Sequence, residues 1–181
     1  MTGDVFYREV KSARSPRGSI VPPGCHLETV DGRQELRIPA DVTRVETPIV
    51  FPGFTVVVEG AELNIDGPAI VDAALAAEGL EAPNTVLTSE KEVEVIGLLR
   101  VKSVRARIVR GARIEAQAID AGVSTRAEEA IVARSVTVRD GAVRAPQLIA
   151  ADVSGENSAE SHVGWDDALA QGLVPEWLRD G

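Results

Sequence analysis

The groups able to do chemistry in this 181-residue chain are few and scattered. Cys25 and His26 are adjacent, and the other histidine, His162, lies near the far end of the chain. A thiol and an imidazole act together only when the side chains meet and a third group orients the base. Adjacency in sequence supplies neither, so the plainer reading is of loop residues in solvent. Residues 27 to 161 hold no histidine, which leaves the body without an imidazole base for acyl transfer. Asp66, Asp72, Asp120 and Asp140 are spread along the chain, and no Cys, His or carboxylate cluster has metal-ligand spacing. No phosphate-binding glycine loop occurs. Two carboxylates set for glycoside cleavage are compatible with the residue types. A sugar cleft usually adds aromatic platforms, however, and none stands between Phe54 and Trp165. The reading is of a protein that is not an enzyme, with no cofactor, metal site or small-molecule substrate; a carboxylate-dependent enzyme comes third.

One charge feature stands out. Between Glu94 and Glu115 there is no acidic residue, while Arg100, Lys102, Arg105, Arg107, Arg110 and Arg113 all fall there. The stretch before it carries Glu78, Glu81, Glu90, Glu92 and Glu94. The plainer reading is pairing of opposite charges between neighbouring strands, each pair weak when exposed. The sharper one is a basic stripe for an anionic partner, an acidic protein or lipid headgroups. The net charge of −9 argues against nucleic acid.

The elements that position these residues announce themselves by alternation. Val93 and Val95 flank Glu94; Val136 and Val138 flank Thr137; Ile114, Ala116 and Ala118 alternate with Glu115 and Gln117. Period two marks strands with one face in and one face out. The Gly-Ala words Gly60-Ala61, Gly111-Ala112 and Gly141-Ala142 recur; Gly60, Gly79, Gly97 and Gly111 step by 19, 18 and 14 residues, and the 30 from Gly111 to Gly141 is near two further steps, a mean of about 16 over five. A coil of three short strands and three corners needs about that length. Aromatics are 3% of the chain, and the 110 residues between Phe54 and Trp165 have none. This fits a thin interior filled by Val, Ile, Leu and Ala, with no layer gap for large rings.

The expected fold is all-β: a single-domain parallel β-solenoid over residues 36–153, an irregular tail over 1–35, and a C-terminal tail with short helices over 154–181. Two segments read as helix when taken alone. Pro68 to Ala82 is alanine-rich, and Ser124 to Ser135 opens on the capping box Thr125-x-x-Glu128. They define the rival fold, an α+β domain with a small sheet and two helices. In the C-terminal tail, Trp165 and Trp177 with Leu169 and Leu173 form a candidate apolar contact face. A solenoid's terminal coils expose unpaired backbone and interior, so they must be capped or joined to another copy. The candidates for self-association are Ile49, Phe51 and Phe54 at the first end, and Leu148, Ile149 and Val153 at the last. One cysteine excludes an intramolecular disulfide, no signal peptide is visible, and no run approaches about 18 apolar residues. The expected location is cytoplasmic, with Phe6 and Tyr7 as a candidate membrane contact.

The Gly-Ala words, the stretch Val104 to Ala118, and Ser135 to Val153 with its Val-Thr-Val-Arg-Asp-Gly-Ala-Val-Arg-Ala resemble a bactofilin domain over about residues 55–153. The resemblance implies a right-handed parallel β-helix that polymerises end to end without nucleotide into cytoskeletal filaments. Such a protein scaffolds cell shape and recruits cytoskeletal or membrane-associated proteins. The irregular glycine spacing and the two tryptophans depart from that pattern. They raise the alternative of a monomeric or dimeric binding module on the same scaffold.

Overall fold

The computed structural model describes residues 10–12, 19–67 and 72–179; Phe6 and Tyr7 lie outside them. Its strands are β1 (Val10–Ser12), β2 (His26–Val30), β3 (Arg33–Ile38), β4 (Arg44–Val45), β5 (Ile49–Val58), β6 (Glu62–Ile65), β7 (Ala73–Thr88), β8 (Glu92–Val95), β9 (Leu98–Arg144), β10 (Gln147–Ala150), β11 (Asp152–Asn157) and β12 (Ser161–Gly164). Two helices follow, α1 (Trp165–Ala170) and α2 (Glu176–Arg179). From β3 onward every pairing is parallel. The chain winds through about seven turns of a β-solenoid.

Each turn has three faces, and each face is a ladder of like residues. On the first face Leu36 sits in register with Val56, Leu80 and Leu99. On the second, Leu63 aligns with Leu87 and Val104. On the third, Ile49 aligns with Leu75, Val93 and Val109. All of these side chains are buried. The alternation in sequence becomes geometry here: inward residues stack on the rung below, and the residues between them face out. Strand β9 bends through several corners, with Leu99 paired to one turn and Ile131 to Leu148 of another.

The repeat word marks corners, though not one corner. Gly60-Ala61 leads into the second face, Gly111-Ala112 into the first and Gly141-Ala142 into the third. Gly97 stacks on Glu78 and Ala112 on Gly97 through backbone hydrogen bonds of 2.8 and 2.9 Å, so only the middle glycines share a corner. Measured on the first face, the step falls from 20 residues between Leu36 and Val56 to 14 between Leu148 and His162.

Both segments that read as helix are strand, which removes the α+β alternative. The described part of the first lies in β7, where Leu75, Ala77, Leu80 and Ala82 point inward. Pro68 to Val71 lie outside the described residues. In the second, Thr125 is a fully buried interior residue, so its hydroxyl is not a helix cap. Alanine favours helix locally, but a ladder of backbone hydrogen bonds to both neighbouring turns outweighs that preference. A narrow interior also needs small side chains.

The tails are more ordered than composition implies. The region up to residue 35 contains β1, β2 and the start of β3. Strand β2 runs antiparallel to β3, and β1 antiparallel to β2. Asp31 and Gly32, with φ of 52° and 82°, form the two-residue turn between β2 and β3. At the other end β11 and β12 carry the solenoid to Gly164 before the helices begin.

Packing at the corners gives a direct test. A Cβ on Gly141 would overlap the Val123 carbonyl oxygen, which belongs to the neighbouring rung's backbone and cannot swing away. Gly141→Ala is expected to cost roughly 2–3 kcal/mol in urea denaturation. Gly164→Ala, where the added carbon meets nothing, should leave the midpoint unchanged.

Candidate functional site

The residues expected at the two ends sit one turn inside them. Ile49, Phe51 and Phe54 are buried, with the two phenyl rings edge-on at 5.7 Å. Val21, Cys25 and Leu27 are partly buried against the same core. Leu148 and Ile149 are buried as well. Leu148 is covered by the next rung, in register with His162, and Ile149 by the C-terminal helices. Of the six positions only Val153 keeps exposed surface, as a half-buried residue. The correction has a plain cause: hairpin β2–β3 and strands β11 and β12 add rungs beyond the expected body.

The last turn is different from those beneath it. In the inward columns Val136 is followed by Val153, Val143 by Asn157 and Leu148 by His162. Asn157 and His162 are exposed, and Ala159 packs partly on the core. The Asn157 amide donates to His162 Nδ1 at 3.3 Å, and His162 Nε2 donates to the Ala150 carbonyl at 3.3 Å, which fixes one tautomer. Asn157 Oδ1 also accepts from the Ala159 N–H at 3.0 Å. A thin polar lid of two side chains thus replaces the apolar ladder, while the strand edges of β11 and β12 have no further partner among the described residues.

The basic run resolves into a belt. Arg100 is on the first face, Arg105 on the second and Arg110 on the third. Four of its six members are paired, Arg100, Arg105 and Arg107 between rungs and Arg113 within its own strand. Arg100 lies 3.3 Å from both Glu81 and Glu115, Arg105 3.8 Å from Asp120, Arg107 3.6 Å from Glu92 and Arg113 2.7 Å from Glu115. Lys102 and Arg110 have no carboxylate at salt-bridge distance among the described residues.

The tryptophans hold the tail along the flank of the solenoid, not over its end. Val132, Ile149 and Val163 form an outward apolar column on the first face, in register with one another. Trp165, Ala168, Val174 and Leu178 cover it. Arg134 stacks over Trp165 at 5.5 Å and Arg100 over Trp177 at 5.7 Å. The anchor is Glu115, buried beneath the tail. It accepts from Trp177 Nε1 at 2.8 Å and from Arg113 Nε at 2.7 Å. Burial pushes its carboxyl upward, but the hydrogen bonds from Arg113 and Trp177 and the charges of Arg113 and Arg100 outweigh it and hold it below the usual carboxylate range. Sequence reading treats Glu115 as one outward residue among many. Its signal is its place among cations with no other carboxylate near.

A second buried carboxylate, Glu35, lies at the opposite end. Arg33 Nε donates to it at 2.9 Å and Arg37 Nη2 at 2.8 Å. Arg37 also reaches Glu59 and Glu28, each at 3.1 Å. Burial lowers the Arg37 guanidinium, yet Glu59, Glu35 and Glu28 together push it above its ordinary value.

Cys25 and His26 do not meet His162. They belong to the first end of the stack, and His162 to the last strand in the sheet order. Burial, then the Asp41 charge, pushes the Cys25 thiol up to about 11, the wrong direction for a nucleophile. His26 hydrogen-bonds Glu28 at 2.7 Å. Asp66 pairs with Arg44 at 2.8 Å, and Asp120 takes both Arg105 and Arg139. No group of three or more His, Cys, Asp or Glu gathers at metal-binding geometry among the described residues.

The Glu115 anchor predicts an acid-sensitive tail. A carboxylate held low by folding contributes stability above its unfolded pKa, and that contribution is lost as pH falls through the folded value. Acidification below the ordinary carboxylate range should therefore loosen the tail, seen as a red shift of tryptophan fluorescence before the solenoid's circular dichroism changes. In Glu115→Gln the tail should already be loose at neutral pH. Identical fluorescence titrations of the two proteins would rule the anchor out.

Compared with protein-family models, with curated proteins and with solved structures, the chain gives no match.

Proposed function

We propose that this protein is a non-enzymatic structural scaffold of the bactofilin-like kind, a stiff β-solenoid that joins copies of itself through its last turn. The observation that carries the reading is the inequality of the two ends. The first carries an added antiparallel hairpin, with Val21, Cys25 and Leu27 packed on the core, and the edges there belong to the short strands β1 and β4. The last leaves the edges of β11 and β12 unpaired among the described residues, beneath Val153, Asn157, Ala159 and His162. An unpaired strand edge next to partly apolar surface is a template for another chain. Where the last turns alone pair, two copies meet end to end about a two-fold axis and the assembly closes as a dimer. Growth into a filament then requires the first end, with the edges of β1 and β4, to pair as well.

What supports leaving catalysis out is the separation of the histidines, the raised Cys25 thiol and the pairing of Asp66 and Asp120 with arginines. The second reading is a binding module for an acidic or membrane-associated partner. It is favoured by the apolar column of Val132, Ile149 and Val163, which a partner would reach by displacing the tail. No helix among the described residues is long and apolar enough to cross a membrane.

Sedimentation across protein concentration and salt tests the scaffold reading. The wild-type chain is expected to form a dimer or longer species, and Val153→Asp with Ala159→Asp to give a folded monomer. Both positions are only half-buried, so the paired variant should keep its circular dichroism. A wild-type monomer under all conditions, or an assembly indifferent to these two changes, would sink the reading.

A further inference from the structure

At several places on the solenoid surface a cation stands one rung from a carboxylate: Arg37 by Glu59, Arg44 by Asp66, Arg100 by Glu81 and Arg107 by Glu92. Three arginines of the third face stand apart from this pattern. Arg110, in register with Glu94, is followed outward on the next rungs by Arg126, between the buried Thr125 and Ala127, and by Arg144, between the buried Val143 and Ala145. All three are exposed and line one groove of about 330 Å³. None has a carboxylate at salt-bridge distance among the described residues. Like charges on adjacent rungs, about 4.8 Å apart, repel and destabilise a sheet. Here three guanidinium groups converge on one groove, none of them held by a salt bridge among the described residues.

The surroundings narrow the anion. Asp140 and Glu156 line the same groove, and Glu94 and Glu128 a neighbouring one beside Arg110 and Arg126. These carboxylates repel any broad negative surface, which excludes a lipid bilayer or a nucleic-acid duplex. A compact anion fits between them. The guanidinium fork pairs bidentately with phosphoryl oxygens, and three forks over two rung spacings, roughly 10 Å, match an anion of two joined phosphoryl groups better than one. We propose that Arg110, Arg126 and Arg144 form a binding site for a compact, multiply charged phosphoryl anion of the diphosphate class.

The test is calorimetric titration of the full chain with inorganic pyrophosphate at low salt, beside orthophosphate and phosphatidylglycerol vesicles. Pyrophosphate is expected to bind one per chain, more tightly than orthophosphate and more weakly as salt rises. Arg126→Gln should weaken it about tenfold or more. Arg144→Gln serves as the second variant, and circular dichroism confirms that each stays folded. Absence of pyrophosphate binding, equal affinity in both variants, or binding of the vesicles but not of pyrophosphate would overturn the proposal. The titration does not depend on self-association, so either idea can fail alone.

Discussion

Every rung of this protein stands on the rung before it. The parallel backbone ladder satisfies the main-chain groups of each strand only if the next turn repeats its path. That demand fixes the rest. Inward positions fall directly above one another, so the interior is one side chain deep from each face and tolerates Val, Ile, Leu and Ala. The two interior phenylalanines sit in the early, longer turns. Polar residues enter only on terms the ladder sets: the Thr85 hydroxyl donates to the Gly60 carbonyl at 2.7 Å from a fully buried position.

Charge follows the same geometry with two exceptions. Outward carboxylates such as Glu59, Asp66, Glu81, Glu92 and Asp120 meet a cation on a neighbouring rung in solvent, where such pairs contribute little individually. Glu35 and Glu115 are buried instead, and each is held by two arginines. Both stand where a segment of another kind attaches: Glu35 in β3, the strand shared by the hairpin and the first parallel rung, Glu115 beneath the helical tail. A buried carboxylate stripped of its partners is strongly destabilising. These two sites therefore specify how the appended pieces dock, more than they add to the strength of the solenoid.

Much of the body is legible in sequence because alternation is a local signal. Val93-Glu94-Val95 and Val136-Thr137-Val138 read the same in both descriptions. The ends are not legible, because a ladder stops only where the next turn fails to pair, and that is decided by residues far away in the chain. Asn157 and His162 look like tail residues until their register with Val143 and Leu148 is known. Ala74 to Ala82 and Thr125 mislead for a related reason: their local preference is helical, and the competing hydrogen bonds come from other turns. The hairpin carried a local sign, Asp31-Gly32, within a region that its prolines mark as irregular. The arginine column on the third face requires the rung spacing, since Arg110, Arg126 and Arg144 are unremarkable as a sequence pattern.

The antiparallel hairpin at the first end also gives synthesis a direction. Strands β2 and β3 contact each other within a dozen residues, so their pairing precedes any coil. Once formed, it offers the outer edge of β3 as the template for the first parallel strand, β5. Each later turn finds its template already in place as it leaves the ribosome, in the order in which the chain is made. The tryptophan helices come last, after Arg100, Glu115 and Ile149 are already in position. A solenoid with two free edges has no such order and can begin in the middle.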